Sequence, residues 1–462
     1  MKKRRRAKKK SGGKILLIFI MICLLAAAGY VYTAPEFERI VPTIENKENI
    51  FWNRTDPFTV HVSDNVGLKE YELIMSDGTN TISIAKGTFT AGIKEQDLVV
   101  TYPKEKGLNT KSNSLKLTVL VSDKSMWNFL RGNKAVREIN VKVDHQKPNV
   151  NIVSNSYSIT QGGAGLVIFQ ASDSNLNELY VIVGETRFKV QPYKTKDYYV
   201  ALIAWPFTQK DFNAKIVAKD KAGNKRVREI PFYLKNRNYR VSWIRAKDHF
   251  IEGKITDLAS SNPDYTGISD KLERLKAVNE TMRLKNEEKI HSLGKSVSNQ
   301  LLFEWKVNKF YPLKNAKKVA SYGDERHYYY ENKDHEISQS YHVGYDLAST
   351  KMAGIVSSNA GKVVYASDNG IYGNMPMIDH GLGLYSLYGH CSQLLVKEGD
   401  EISAGQKIAR TGTSGLALGD HLHFGILVQG IEVRPIEWFD ASWIKKNIDD
   451  IFLAANKIII GK

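Results

Sequence analysis

Residues 419–426 read GDHLHFGI. The alternation of His421, Leu422, His423 and Phe424 has the period of a strand, in which residues i and i+2 share a face. Both imidazoles then lean into one space while Leu422 and Phe424 enter a core. A solvated histidine pair on a sheet is the commoner meaning of an isolated HxH, so the surrounding chain has to supply partners. It does so within a run of short alternating segments and Gly-rich turns: GKVVYASD, MPMIDHG, LYSLYGH, QKIARTG and HLHFGILV. That pattern predicts a compact antiparallel β domain over 301–445, followed by a C-terminal helix at 446–462.

The 462 residues exceed one hydrophobic core and imply several domains. With 42% hydrophobic and 25% charged residues, most of the chain is ordinary globular protein. Its start is not. Nine Lys or Arg crowd residues 2–14, ahead of the uncharged run ILLIFIMICLLAAAGYVY from Ile15 to Tyr32. This is a cytoplasmic basic tail (1–14) followed by a transmembrane signal anchor (15–33), oriented with the remainder outside the cytoplasmic membrane. A cleavable signal peptide competes, because Ala26–Ala28 offer a small-residue site, but the apolar run continues to Tyr32. Met21 and Ile22 before Cys23 do not fit lipoprotein processing. The basic head is explained by topology, so no nucleic-acid partner is expected. Without those nine cations the formal charge of +17 falls to about +8, a mildly basic ectodomain suited to anionic surroundings. Cys23 and Cys391 are the only cysteines, so no disulfide braces the ectodomain.

Self-similarity organises the middle of the chain. FTVHVSDNVGLKEYELIM (58–75) resembles LVIFQASDSNLNELYVIV (166–183), and LKLTVLVSDKSMWN (115–128) resembles NAKIVAKDKAGNKRV (213–227). The spacing of about a hundred residues matches two Ig-like β-sandwiches, placed at 42–146 and 147–237. Asp64, Asp123, Asp173 and Asp220 recur at the turns, where a carboxylate capping backbone amides explains them without calcium. Residues 268–293 lack Gly and Pro and carry Ile268, Leu272, Leu275, Val278, Met282 and Ile290 at near-helical spacing. They predict a helical linker over 238–300, capped by Ser269 or Asp270, which could also act as a lid. The whole is mainly β.

Six of the eleven histidines lie between 335 and 423. His342 and Asp346, in HVGYD, stand four residues apart, and with His423 they form a two-nitrogen, one-oxygen set suited to Zn2+ with a fourth position open to water. His390, in LYGHCS, and His421 remain as unligated imidazoles. His421 is the candidate general base, and His390 would orient the water or donate to the developing oxyanion. His380 at a hairpin turn, and His327 and His335 in a polar loop, are expected to be structural, exposed or part of the groove wall. Cys391 should point away from the metal as a small core residue. Asp420 suits a turn better than support of a ligand.

Taken in order, HxxxD, YxH and HLHF resemble the lysostaphin/LytM-type zinc metallopeptidases, which cut peptide bonds in peptidoglycan. The resemblance covers about 302–440 and includes YPLKNAKKVASYGDER, AGKVVYASDNGIYGN, IDHGLGLYSLYGH, VKEGDEISAGQKIARTG and RPIEWFD. It implies zinc on His342, Asp346 and His423, with His390 and His421 catalytic, in a groove that takes peptidoglycan peptide stems. Together with the N-terminal anchor read above, this leads to the expectation of a single-pass envelope enzyme, with envelope or division-complex proteins as candidate partners. Three rivals are weighed. A relative that binds peptidoglycan without cutting it would use the same groove. VKEGDEISAGQKIA resembles the hammerhead of biotinyl and lipoyl carriers, but no displayed lysine is in register, and the histidines would be unexplained there. A structural envelope protein would make the sandwich repeats the working part and the peptidase domain a ligand-binding cap, which about one zinc per purified chain would argue against.

Overall fold

The structure, a computed structural model, describes residues 12–45, 47–103 and 107–461. The basic head at 1–11 and Lys462, the end of the expected 446–462 helix, lie outside them. The chain forms two units, one running up to Lys147 and including Asp220–Asn224, the other made of Pro148–Lys219 and Lys225 onward.

The first unit begins with the helix Gly12–Thr33, whose apolar side chains are exposed. Its length and hydropathy are those of a membrane span or signal sequence. Two sheets follow. One orders the strands Asn49–Trp52, Lys134–Val143, Ser114–Asp123, Leu68–Ser76 and Thr81–Thr88, and the other Thr43–Ile44, Phe58–Ser63 and Glu95–Val100. Alternate residues such as Leu115, Leu117, Val119 and Val121 turn inward to meet Val60, Val62 and Leu98 in one core. Asp64 Oδ1 accepts from the amides of Val66 and Gly67, and Asp123 Oδ1 from those of Ser125 and Asn133. Asp173 and Asp220 accept in the same manner from Asn175 and Asn224. All four carboxylates thus close turns.

In the second unit, two further four-stranded sheets are continuous with the C-terminal β domain. The strands Ala164–Ser172 and Tyr198–Ala204 are buried on both faces along most of their length, as continuous apolar runs require. One core therefore extends from Phe169 and Leu202, past Phe452 of the helix Asp450–Ile460, to Phe424 and Trp438. Polar ties fix the alignment. Gln429 Nε2 donates to the carbonyls of Lys189 and Leu202, at 2.9 and 3.1 Å, and Ser156 Oγ donates to Asn447 O at 2.8 Å.

The C-terminal sheet has eight strands, with Tyr345–Ala348, Leu422–Val428, Leu384–Gly389 and Asn374–Asp379 adjacent and antiparallel at its centre. Asp270 caps the helical run from Lys271 to Leu293, accepting from the amides of Leu272 and Glu273. Leu275, Val278, Met282 and Ile290 pack with Met375, Met377, Tyr385 and Leu387 of the sheet. The segment expected to be a helical linker also holds a strand, Val241–Arg245, parallel to Asp324–Tyr329. VSWIR mixes β-branched and aromatic residues, which favour extended backbone when an edge is open to them.

Glu437 is a buried carboxyl in this shared core. Its oxygens take the Ala164 amide at 3.3 Å and Arg434 Nη1 at 3.1 Å. Burial outweighs Arg434 and pushes its pKa from the ordinary 4.5 up to about 7. A raised folded value stabilises below the unfolded pKa, and that stabilisation is lost as pH rises through 7. Glu437→Gln, which fixes the protonated shape, is therefore expected to gain in melting temperature relative to wild type between pH 5 and pH 8. A difference that stays constant across that range would contradict this account.

Candidate metal centre

His342 ends the strand Glu336–His342, Val343 and Gly344 turn the chain, and Asp346 stands on the next strand, Tyr345–Ala348. HVGYD is thus strand, turn, strand. Asp346 pairs directly across the sheet with His423, so backbone register places carboxylate and imidazole side by side. His342 Nε2 lies 3.0 Å from Asp346 Oδ1 and 3.1 Å from His423 Nδ1, and His423 Nδ1 lies 2.9 Å from the same oxygen. All three residues are buried.

His342 Nδ1 donates to Ser321 O at 2.9 Å, which assigns its proton and leaves the Nε2 lone pair facing the cluster. Burial works against the Asp346 carboxylate, yet His342 and then His423 hold it well below the usual carboxylate range. Burial depresses His423 to about 4, so its ring is neutral near pH 7. Two imidazole nitrogens and a carboxylate oxygen thus converge on one point, the donor set of a metal site. Tetrahedral zinc with bonds of 2.0–2.1 Å would separate its donors by about 3.3 Å, close to the spacings present. The N2O donor set also suits it, so the residues fit zinc.

The centre opens on a cavity of about 460 Å³. His390 and His421 line it, their rings 4.8 Å apart. His421 Nδ1 donates to Gly419 O at 2.7 Å, and its Nε2 lies 3.7 Å from Asp346 Oδ2. His390 Nδ1 donates to Ser414 O at 2.9 Å, and burial pushes its pKa down to about 3. A neutral His390 presents a lone pair at Nε2. It can therefore accept from a water more readily than it can donate to an oxyanion.

The other histidines stand elsewhere. His380 is half-buried between Ala360 O and Ser386 Oγ, at 2.8 and 2.7 Å. His327 occupies the strand Asp324–Tyr329, not a loop, stacked on Trp243 at 4.6 Å because the parallel strand brings that indole beside it. His335 lies in an exposed turn. Cys391 has no exposed surface, and burial raises its thiol pKa. Asp420 closes a turn by accepting from Thr411 Oγ1 and the Met352 amide.

Several site residues escaped sequence reasoning. Tyr372, fully buried, sets its ring edge-on to His423 at 5.4 Å. Gly344 provides the space for His423, since a Cβ there would lie 2.3 Å from its Nε2. Phe250 and Arg283 reach the cavity from the segment preceding the domain. Gly344 and Tyr372 sat inside quoted motifs, where a glycine beside a ligand was the available signal. Nothing in one sequence marks Phe250 or Arg283.

Residues 340–435 match the family model described as Peptidase family M23. Among curated proteins, the chain is 39% identical over 103 residues to the murein hydrolase activator NlpD of Salmonella dublin, covering 22% of this chain and 27% of that one. It is 31% identical over 134 residues to the peptidoglycan DD-endopeptidase ShyA of Vibrio cholerae, covering 29% of each. With the lipoprotein NlpD of Yersinia enterocolitica it shares 38% identity over 94 residues, 20% of this chain and 96% of that one. The chain thus spans about a quarter of the length of the first curated relatives it matches.

Proposed function

The chain belongs to peptidase family M23 through its C-terminal third, and on that premise we propose that it is a membrane-anchored, extracytoplasmic zinc endopeptidase that hydrolyses peptide cross-links of peptidoglycan. The observation that carries this is the meeting of His342 Nε2, Asp346 Oδ1 and His423 Nδ1 within 3.1 Å of one another, beside two further imidazoles and an open cavity.

His342, Asp346 and His423 would hold the metal. Bound zinc would supply a Lewis acid for the scissile carbonyl and bring the pKa of water to about 7. His421, its Nδ1 proton committed to Gly419 O, takes the proton of the attacking water at Nε2 and returns it to the leaving amine. His390 orients that water by accepting at Nε2. Phe250 and Arg283 line the groove that receives the peptide stem. The apolar helix Gly12–Thr33 anchors the chain in the cytoplasmic membrane, the two-sheet layer at 42–146 serves as an Ig-like spacer, and that at 147–237 braces the peptidase domain through their shared core.

A second reading, a non-catalytic regulator of other wall hydrolases, is favoured by the likeness to a protein named as a murein hydrolase activator. Digestion of purified peptidoglycan separates the two. The endopeptidase reading expects cross-linked fragments to be cut to monomers by the chain alone, with loss of activity on chelation and recovery with zinc. The regulator reading expects no fragments without a partner hydrolase.

A further inference from the structure

The loop MWNFLRG, 126–132, joins the strands Ser114–Asp123 and Lys134–Val143 of the first unit. Its apolar side chains face outward, with Phe129 95% and Leu130 66% exposed. Asn128, Phe129 and Leu130 stand in succession at φ 53°, 59° and 69°, a left-handed run that non-glycine residues avoid. The backbone thus bears strain in a conformation that presents a phenylalanine and a leucine to the outside.

The place of the loop gives that arrangement a purpose. Val31, in the last turn of the apolar helix, and Phe37 line one apolar depression with Met126–Leu130. Polar ties hold the parts together. The Met126 amide donates to Glu36 O, and Ser125 Oγ donates to Glu38 O at 2.7 Å. The Arg39 guanidinium lies 4.2 Å from the Trp127 ring and 4.9 Å from that of Tyr32. If uncharged residues 15–32 cross the bilayer, Val31 and Tyr32 are at its outer surface. Side chains sharing a depression with Val31 are then at the same depth. Trp, Phe and Leu suit the boundary between headgroups and acyl chains. Exposed Lys124, Arg131 and Lys134, with Arg39, are matched by Glu36, Glu38, Asp64 and Asp123, so the apolar side chains and not net charge would carry the attachment.

We infer that the 126–132 loop is a second membrane attachment, with Phe129 and Leu130 inserted into the outer surface of the bilayer that the helix spans. This rests on the helix being retained as an anchor. A single helix leaves the first unit free to swivel, whereas two points of attachment fix its tilt.

The far end of the same strands supplies a control. Leu68 faces Asp123 while Ser76 faces Lys116, so the exposed turn at Thr79 lies about 25 Å from the loop at about 3.3 Å per residue. The full-length chain, with Cys23→Ala and either Phe129→Cys or Thr79→Cys, is labelled with an environment-sensitive fluorophore and reconstituted into phosphatidylcholine and phosphatidylglycerol vesicles. Cys391, being buried, stays unlabelled. The label at 129 is expected to emit blue-shifted and to be quenched by lipids carrying a nitroxide near the headgroup, and the label at 79 to do neither. Water-like, unquenched emission at 129 from protein that floats with the vesicles overturns the proposal. So does a blue shift without lipid quenching that grows with protein density, which would assign the patch to a second copy of the chain. Protein that fails to float, or whose mass lacks the N-terminal helix, refutes the anchor itself and the loop's role with it.

Discussion

His421→Ala is expected to slow the release of fragments from purified peptidoglycan by about 10²–10⁴-fold, the usual worth of a positioned general base, while the chain retains its zinc. His421 stands outside the donor triad, its Nε2 at 3.7 Å from Asp346 Oδ2 and its Nδ1 tied to Gly419 O. Removing it takes away a proton carrier and leaves His342, Asp346 and His423 in place. His423→Ala should behave differently. It deletes a donor atom that lies within 3.1 Å of both other donors, so metal and turnover are expected to be lost together. Metal analysis alongside fragment release reads both quantities on the same preparations. Loss of zinc from His421→Ala would move that residue into the ligand set, and undiminished turnover would remove it from the mechanism.

That contrast was partly legible in the sequence, and the reason is geometric. The i, i+2 spacing of His421 and His423 means a shared face in any extended strand, and both imidazoles do approach Asp346. The same period-2 logic marks the β character of the chain, because short alternating runs between Gly-rich turns have few other solutions. Long-range pairing is another matter. Asp346 opposite His423, and Tyr372 against the His423 ring, depend on strand register and on a turn about fifty residues away, neither of which a local pattern contains. The helical segment was readable as a helix from its apolar spacing, but its role as a layer on the sheet depends on Met375, Met377 and Leu387, far along the chain. The continuous core of the second unit left a fainter signal. GLVIF (165–169) and VALIA (200–204) are apolar without alternation, the mark of strands covered on both faces, whereas a free-standing sandwich would show one polar face.

Gly344 carries the sharpest structural prediction, because its requirement for glycine is one of space and not of backbone angle. Its φ lies outside the left-handed region, so alanine is permitted by the backbone. A Cβ, however, would sit 2.3 Å from His423 Nε2 and 2.4 Å from Cε1, far inside contact distance. The ring has little room to retreat, with Tyr372 at 5.4 Å, His342 at 4.9 Å and His390 at 5.8 Å between centroids. Gly344→Ala should therefore swing His423 Nδ1 away from Asp346 and weaken zinc by at least about 10–100-fold, as misoriented ligands do, with activity falling in parallel. Gly419→Ala is the matched comparison. It also neighbours a site histidine, but its added Cβ would meet nothing within 4 Å, so zinc affinity should be unchanged. Competition against a chelator of known affinity measures both variants, and a melting curve verifies that each is folded. If Gly344→Ala bound zinc as tightly as wild type, His423 could not be holding metal in the orientation described. The donor set would then have to be sought among His342, Asp346 and the two imidazoles assigned to proton transfer.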